Sequence, residues 1–181
     1  FGNVTVGTSS STMTFTMSGT GMTSSPVTVT APSGFLVSPT GAGGSWVSSY
    51  TQSISTPAFG PVTVYAQFNP TSGISYSGNI GISGGGLTCT VNVAVTGFGL
   101  APCSGTPTAG TSAVSPAFGG GSTSFTLSAS GYTLATGLTF QWQSSPSGTG
   151  SWSNISGATN PTYTFTGISA TTYYQCVVTC T

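Results

Sequence analysis

The strongest constraint on this chain is a period-two alternation of apolar residues with Ser, Thr and Asn. In the segment LTCTVNVAV, every second position from Leu87 to Val95 is apolar, and the residues between them are Thr, Asn or Ala. The segments MTFTM (13–17) and VTVYAQF (62–68) show the same pattern. Successive side chains of a strand point to opposite faces, so this period predicts strands with one dry and one wet face. No segment keeps a helical period for three turns, and we therefore expect an all-β chain.

Turn segments separate these alternating runs at the short spacing that is typical of a β-sandwich. They read SSP, APSG, GAGG, NPTSG and SGGG. A segment punctuated by Gly and Pro, GFGLAPCSGTPTAG (97–110), then divides a first set of strands from a second set. We place the boundary near Leu100. The sequence thus predicts two consecutive antiparallel β-sandwich domains, residues 1–100 and 101–181.

The chain contains no Asp, Glu, Lys, Arg or His among its 181 residues. Acid–base catalysis needs a positioned carboxylate, imidazole or amine, and calcium sites need carboxylates. The composition therefore predicts no enzyme, no metal site and no cofactor. It also predicts no electrostatic binding of nucleic acid, and no apolar run is long enough to insert into a membrane. Because no net charge keeps copies of the molecule apart, we expect self-association.

The second half of the chain carries a family resemblance. Its motifs are Q-W-Q-S-S (141–145), W-x-x-I-x-G-A-T (152–159) and Y-Y-x-C-x-V-T-C (173–180). With these motifs, Cys103 to the end of the chain resembles the immunoglobulin-like repeat of very large secreted surface proteins of Bacteroidetes. The first half, through FGNVTVGTSSSTMTFTMSGTGM, FNPTSGISYSGNI and VAVTGFG, is similar to the β-sandwich modules that accompany such repeats, including the Hydin-like class.

The resemblance implies a location and a set of core residues. It implies secretion, often by the type IX route, to the bacterial cell surface, with roles in adhesion, surface filaments or gliding. Trp142 matches the buried Trp of the immunoglobulin-like sandwich, and Tyr174, two residues before Cys176, matches its tyrosine corner. Phe140 shares the face of Trp142 and completes this predicted core signature.

The four cysteines divide into a pair and two free thiols. Cys103 opens the second domain and Cys180 nearly closes it, so we favour a disulfide between them. Such a loop closure would stabilise the domain by about 4 to 5 kcal/mol. Cys89 and Cys176 each lie on an apolar stripe and are expected to be buried free thiols. Four cysteines in an uncharged β-rich chain suit an oxidising, extracellular setting.

An immunoglobulin-like sandwich has a further strand after the segment YYQCVVTC. The second domain is therefore expected to lack its last strand within this chain. Two explanations stay open. The sequence is a window on a longer chain, or a neighbouring copy donates the missing strand by β-augmentation.

These observations predict a structural or adhesive repeat segment of a secreted cell-surface filament or stalk. Its expected partners are other copies or neighbouring repeats of the same protein. A first alternative is a self-assembling fibre subunit joined by strand donation. A second is a carbohydrate-binding module, in which Trp46 and Trp152, in or beside Gly-rich turns, stack on surface glycans. The competing interpretation of Trp152 is that it covers the end of the sandwich.

Overall fold

The computed structural model describes all 181 residues and is built from strands and turns. The prediction of an all-β chain with antiparallel sheets is confirmed. A single turn of 3-10 helix, Gly41–Gly43, interrupts the strands, and the structure has no helix with the length and apolar character needed to cross a membrane. The chain forms two compact units, unit 1 (Phe1–Ala101) and unit 2 (Pro102–Thr181).

Unit 1 consists of eight strands in two sheets. The strands are β1 (Asn3–Thr5), β2 (Met13–Thr20), β3 (Val27–Thr30), β4 (Phe35–Ser38), β5 (Ser49–Gln52), β6 (Ala58–Phe68), β7 (Ser75–Gly84) and β8 (Val91–Leu100). One sheet has the order β1-β8-β7-β3-β5 and the other the order β2-β6-β4. All neighbouring strands are antiparallel except β1, which runs parallel to β8.

The two sheets of unit 1 share one apolar core, as the alternating sequence predicts. Each strand contributes every second side chain, so Val27 and Val29 of β3 are buried while Thr30 is exposed. Phe35 and Phe68 face each other with ring centroids 4.9 Å apart, and Tyr76 packs edge-on against Phe68 at 5.2 Å. The core therefore receives residues from both layers, which makes unit 1 a two-layer structure.

Unit 2 consists of two three-stranded sheets. The strands are β9 (Thr111–Ser115), β10 (Ser124–Ser130), β11 (Leu138–Ser145), β12 (Ser153–Asn154), β13 (Thr162–Thr166) and β14 (Tyr173–Cys180). The sheet orders are β13-β10-β9 and β12-β11-β14, with antiparallel pairing throughout. Leu127 of the first sheet packs with Trp142 and Cys176 of the second in one core.

The predicted inward stripe from Leu87 to Val95 is wrong in its first half. Leu87 and Val91 are 37% and 49% exposed, whereas Val95 is buried. Three consecutive glycines, residues 84–86, have positive φ angles of 83°, 66° and 88° and turn the chain before β8 begins at Val91. Leu87 follows this turn and lies outside the sheet, so the period of two says nothing about which way its side chain points. Val91 is the first residue of β8, where it pairs with Ile82 and is exposed.

Gly97 of β8 gives room to the Phe68 ring, and its replacement tests the packing of unit 1. A Cβ at Gly97 would lie 2.6 Å from a ring carbon of Phe68, which is fully buried and cannot move aside. We expect Gly97→Ala to lower the free energy of unfolding by about 1 to 3 kcal/mol. Gly60→Ala is the matched control, because Gly60 also lies in a strand and a Cβ there would meet no atom within 4 Å. Equal urea midpoints for the two variants would contradict the prediction.

Candidate functional site

Unit 2 is closed by a covalent bridge between residues near its two ends. The structure joins Cys103 to Cys180 in a disulfide across 77 residues of sequence, with the two Cα atoms 5.6 Å apart. The backbone on both sides of the bridge is held by the loop that precedes β11. The Cys103 N–H donates to the Thr136 carbonyl oxygen at 2.8 Å, and the Thr181 N–H donates to the Gly137 carbonyl oxygen at 2.9 Å. The chain thus enters and leaves unit 2 at the same point.

The two remaining cysteines differ in environment. The expectation that Cys89 is buried is wrong, because Cys89 lies in the bend before β8 and is exposed. Cys176 is a free thiol in the core of unit 2. Burial raises the pKa of the Cys176 thiol, an effect that a backbone hydrogen bond from Gln141 partly offsets. Cys176 is therefore held as the thiol, the unreactive form, at neutral pH.

The two thiols should react at very different rates in the folded protein. We expect iodoacetamide at pH 8 to alkylate Cys89 and to leave Cys176 unmodified, because the reagent needs a thiolate that it can reach. After unfolding in urea both residues should be labelled. Peptide mass mapping checks the result, and Cys89→Ser should abolish labelling of the native chain. Alkylation of Cys176 in the native state would contradict the assigned burial.

The predicted core signature lies on β11 and β14. Trp142 is fully buried, and its indole N–H donates to the Asn160 carbonyl oxygen at 2.9 Å. Phe140 and Tyr174 pack against the same core while remaining half-buried. Burial raises the pKa of the Tyr174 hydroxyl, with the Thr172 side chain acting in the opposite direction. These side chains are structural, since they fill the space between the two sheets.

The hydroxyl of Tyr174, the predicted tyrosine corner, interacts with the Thr172 side chain and makes no hydrogen bond to the backbone. Tyr76, which the sequence analysis did not single out, makes the backbone contacts of such a corner. The Tyr76 hydroxyl of unit 1 accepts hydrogen bonds from the N–H groups of Thr71, at 3.2 Å, and Ser72, at 3.0 Å. A contact with the Thr71 hydroxyl is the largest cause of the lowered pKa of Tyr76. The available signal was the spacing, because a tyrosine that follows a turn such as NPTSG by a few residues can reach back to its N–H groups.

The replacement of Trp142 by Phe tests its role in the core of unit 2. The variant loses ring volume and leaves the Asn160 carbonyl oxygen without its indole donor, so we expect a loss of about 1 to 3 kcal/mol in the free energy of unfolding. Trp152→Phe is the matched control, because Trp152 is only half-buried, and its effect should stay within about 0.5 kcal/mol. Urea unfolding followed by circular dichroism measures both. If Trp152→Phe lost as much stability as Trp142→Phe, the assigned difference between a core tryptophan and a half-buried one would be contradicted.

The two tryptophans considered for glycan binding lie in different units. Trp46 follows the 3-10 turn of unit 1, and Trp152 lies in the hairpin loop between β11 and β12 of unit 2. Both are half-buried. Neither ring is as exposed as a surface for stacking on glycans would require. Glycan binding by Trp46 or Trp152 stays a hypothesis.

The outer face of the sheet β13-β10-β9 is an array of hydroxyl groups. Because Phe125 and Leu127 of β10 are buried, the residues between them point outward. Two cross-strand pairs have hydroxyl oxygens 3.2 Å apart, Thr126 with Thr164 and Thr111 with Ser130. The array comprises Thr111, Ser115, Ser124, Thr126, Ser128, Ser130, Thr162, Thr164 and Thr166. This face can interact through hydroxyl groups and methyl groups alone.

The outer edge of β14 is unpaired. β14 forms the end of the sheet β12-β11-β14 and pairs with β11 along all eight of its residues. No strand is hydrogen-bonded to its other side, although β9 of the other sheet lies close to β14. An unpaired edge of this kind is a site at which a further strand can bind through backbone hydrogen bonds.

Comparison with known proteins finds one similarity, which lies in unit 2. The family described as Domain of unknown function (DUF8696) matches residues 108–181, which is less than half of the chain. No curated protein matches the chain. The similarity supports treating most of unit 2 as a recurring module, and it adds no activity.

Proposed function

We propose that this chain is a structural or adhesive segment of a secreted cell-surface filament or stalk. The observation that carries the proposal is the disulfide between Cys103 and Cys180, which closes unit 2 at the point where the chain enters and leaves it. Disulfides persist in oxidising compartments such as the cell exterior. A covalently closed module with a surface of hydroxyl groups fits an architectural role outside the cell.

The bridge determines how tension passes through the chain. A force that pulls on the two ends of unit 2 acts between Cys103 and Cys180, whose Cα atoms are 5.6 Å apart. The covalent bond carries that force directly, so the sheets of unit 2 are not pulled apart. Unit 1 has no such bridge, because its one cysteine, Cys89, is free. Tension therefore acts on the fold of unit 1 and bypasses the fold of unit 2.

The resemblance to immunoglobulin-like and Hydin-like repeats is part of the same proposal. Three features support it for unit 2: two sheets that share one core, a buried tryptophan at the centre of β11, and a cysteine opposite that tryptophan in β14. The absence of His and of charged side chains supports a role without catalysis, since no group in the chain can serve as an ordinary general acid or base at neutral pH.

The alternative of a self-assembling fibre subunit is favoured by one observation, the open edge of β14. A strand donated by a neighbouring copy would bind there by backbone hydrogen bonds. This alternative shares the architectural role of the main proposal and differs from it in how copies are joined.

Force spectroscopy on single molecules tests the mechanical proposal. The chain is stretched between handles attached at Phe1 and Thr181. With the disulfide intact we expect one unfolding step, from unit 1, of about 350 Å at ~3.5 Å per residue. Unit 2 should add no step. After reduction, a second step of about 270 Å should appear, because the 77 residues between the cysteines then extend.

The variant Cys103→Ser/Cys180→Ser should show the second step without any reductant. Cys89→Ser is the matched control and should behave like the oxidised parent chain. A step of about 270 Å from oxidised protein would overturn the proposal that unit 2 is shielded from tension.

A further inference from the structure

The first strand of unit 1 pairs in a direction unlike that of any other strand. β1 runs parallel to β8, with Asn3 opposite Phe98 and Thr5 opposite Leu100. All other strand pairs of the chain are antiparallel. β1 is the first strand of unit 1 and β8 is its last, so the chain enters and leaves this unit through one pair of adjacent strands.

Alternate residues of β1 and its flanks form the hydrogen bonds of this pair. The Gly2 carbonyl oxygen accepts from the Phe98 N–H at 2.9 Å, and the Val6 N–H donates to the Leu100 carbonyl oxygen at 2.9 Å. Along a strand, successive residues direct their backbone groups to opposite sides, so the N–H and C=O groups of Val4 also face β8. The N–H groups of the residues between these positions point away from β8.

The two strands differ in how firmly they are held. β8 forms eight residue pairs with β7 on its other side, against three with β1. β1 is held by β8 and by its side chains, since Val4 packs against the core and the Phe1 ring lies 5.4 Å from the Phe35 ring. The contact between β1 and β8 is therefore the first to be loaded when the ends of unit 1 are pulled apart.

Tension acts on this contact along the length of the strands. Phe1 precedes β1 and Ala101 follows β8, and in a parallel pair these two residues lie at opposite ends of the contact. A force that separates them slides one strand lengthwise past the other. In this shear geometry the hydrogen bonds of the pair resist the force together, whereas strands that are pulled apart from one end lose their bonds one at a time.

We propose that the parallel pair β1–β8 is a mechanical clamp, which gives unit 1 its resistance to tension applied between its two ends. This inference rests on the proposed architectural role and deepens it, because tension acts on unit 1 while the disulfide shields unit 2. The clamp supplies resistance in the unit that has no covalent bridge. It also makes the rate of forced unfolding depend on the direction of pulling, whereas the free energy of unfolding is the same for every direction.

A change in the direction of pulling tests the clamp while β1 and β8 keep their sequence. In the background Cys89→Ser, one handle is attached at Thr181 and the other either at Phe1 or at the new thiol of Ser9→Cys. Ser9 is exposed and follows β1, at the end of the contact where β8 also ends. Pulling at Phe1 shears the pair, and pulling at residue 9 opens it from one end.

We expect unit 1 to unfold at least about tenfold faster at the same constant force when it is pulled at residue 9, since a barrier lower by the equivalent of one or two hydrogen bonds is sufficient. Single-molecule force spectroscopy at constant force measures both rates on the same disulfide-bonded protein. The Ser9→Cys chain pulled at Phe1 is the matched control and should unfold at the rate of the parent chain.

Two proline variants test which backbone groups form the clamp. Val4→Pro removes an N–H that faces β8, whereas Thr5→Pro removes an N–H that faces away from β8, a position at which an edge strand tolerates Pro. Pulled at Phe1 and Thr181, Val4→Pro should unfold at least about tenfold faster at constant force. Thr5→Pro should stay within about threefold of the parent rate. The test by direction needs neither variant, so it decides the question even if Val4→Pro does not fold.

Equal unfolding rates for the two directions of pulling would overturn the inference. So would Val4→Pro and Thr5→Pro chains that fold and then unfold at the same rate under force. Either result would leave the shielding of unit 2 intact, because that proposal fails only if oxidised protein shows the additional step of about 270 Å from the 77 residues between the cysteines. The two proposals therefore fail on different observations.

Discussion

The structure depends on one constraint, the need to satisfy every buried polar group without a single charged side chain. Backbone amides, hydroxyls, primary amides and the tryptophan indole supply the hydrogen bonds, apart from one that the α-amino group of Phe1 donates to the Thr96 carbonyl oxygen, and no side chain can form an ion pair. Sheets meet this constraint well. Each strand forms hydrogen bonds with the backbone groups of its neighbours, and its side chains alternate between the core and the solvent. Among buried side-chain oxygen and nitrogen atoms, only the Tyr50 hydroxyl lacks a partner. Burial raises the pKa of that hydroxyl, as expected for a phenol held neutral in a core.

The same constraint shapes the surface. Ser and Thr side chains lie on the solvent-facing side of the strands. Their hydroxyl groups can form hydrogen bonds with hydroxyl groups of the neighbouring strand, as those of Thr126 and Thr164 do. Such pairs stabilise a sheet by a few tenths of a kcal/mol to about 1 kcal/mol each. They provide none of the long-range repulsion with which charged proteins keep their edges apart. The protection of edge strands therefore depends on geometry, since most edge strands have five residues or fewer and the longer β2 has a register shift.

The sequence pattern predicted the fold class because burial in a sheet follows directly from a period of two. Val64, Phe68 and Trp142 lie where the alternation and the family resemblance put them, and the Cys103–Cys180 bridge joins the pair that the domain limits suggested. The pattern failed at Cys89. Apolar and polar residues continue to alternate in the sequence at this point, but three glycines take the backbone out of the sheet. The hydrogen bonds of Tyr76 had one signal in the sequence, the short spacing between this tyrosine and the turn NPTSG, which the analysis did not use. The register of β14 against β11 was beyond prediction, because it is set by how two distant segments meet, and a shift of one residue would move every side chain to the other face.

The disulfide and the open edge act on the same strand. β14 is held along one side by β11 and at its last residue by the bond to Cys103, so its backbone is ordered before any partner arrives. A flexible strand would lose about 1 to 2 kcal/mol of conformational entropy per residue on pairing, and that loss usually cancels most of the gain from new backbone hydrogen bonds. In β14 the loss has already occurred on folding of unit 2. The bridge therefore does more than close a loop. It fixes the last residue of the strand that carries Tyr174 and Cys176, and so links the covalent closure of unit 2 to the packing of its core.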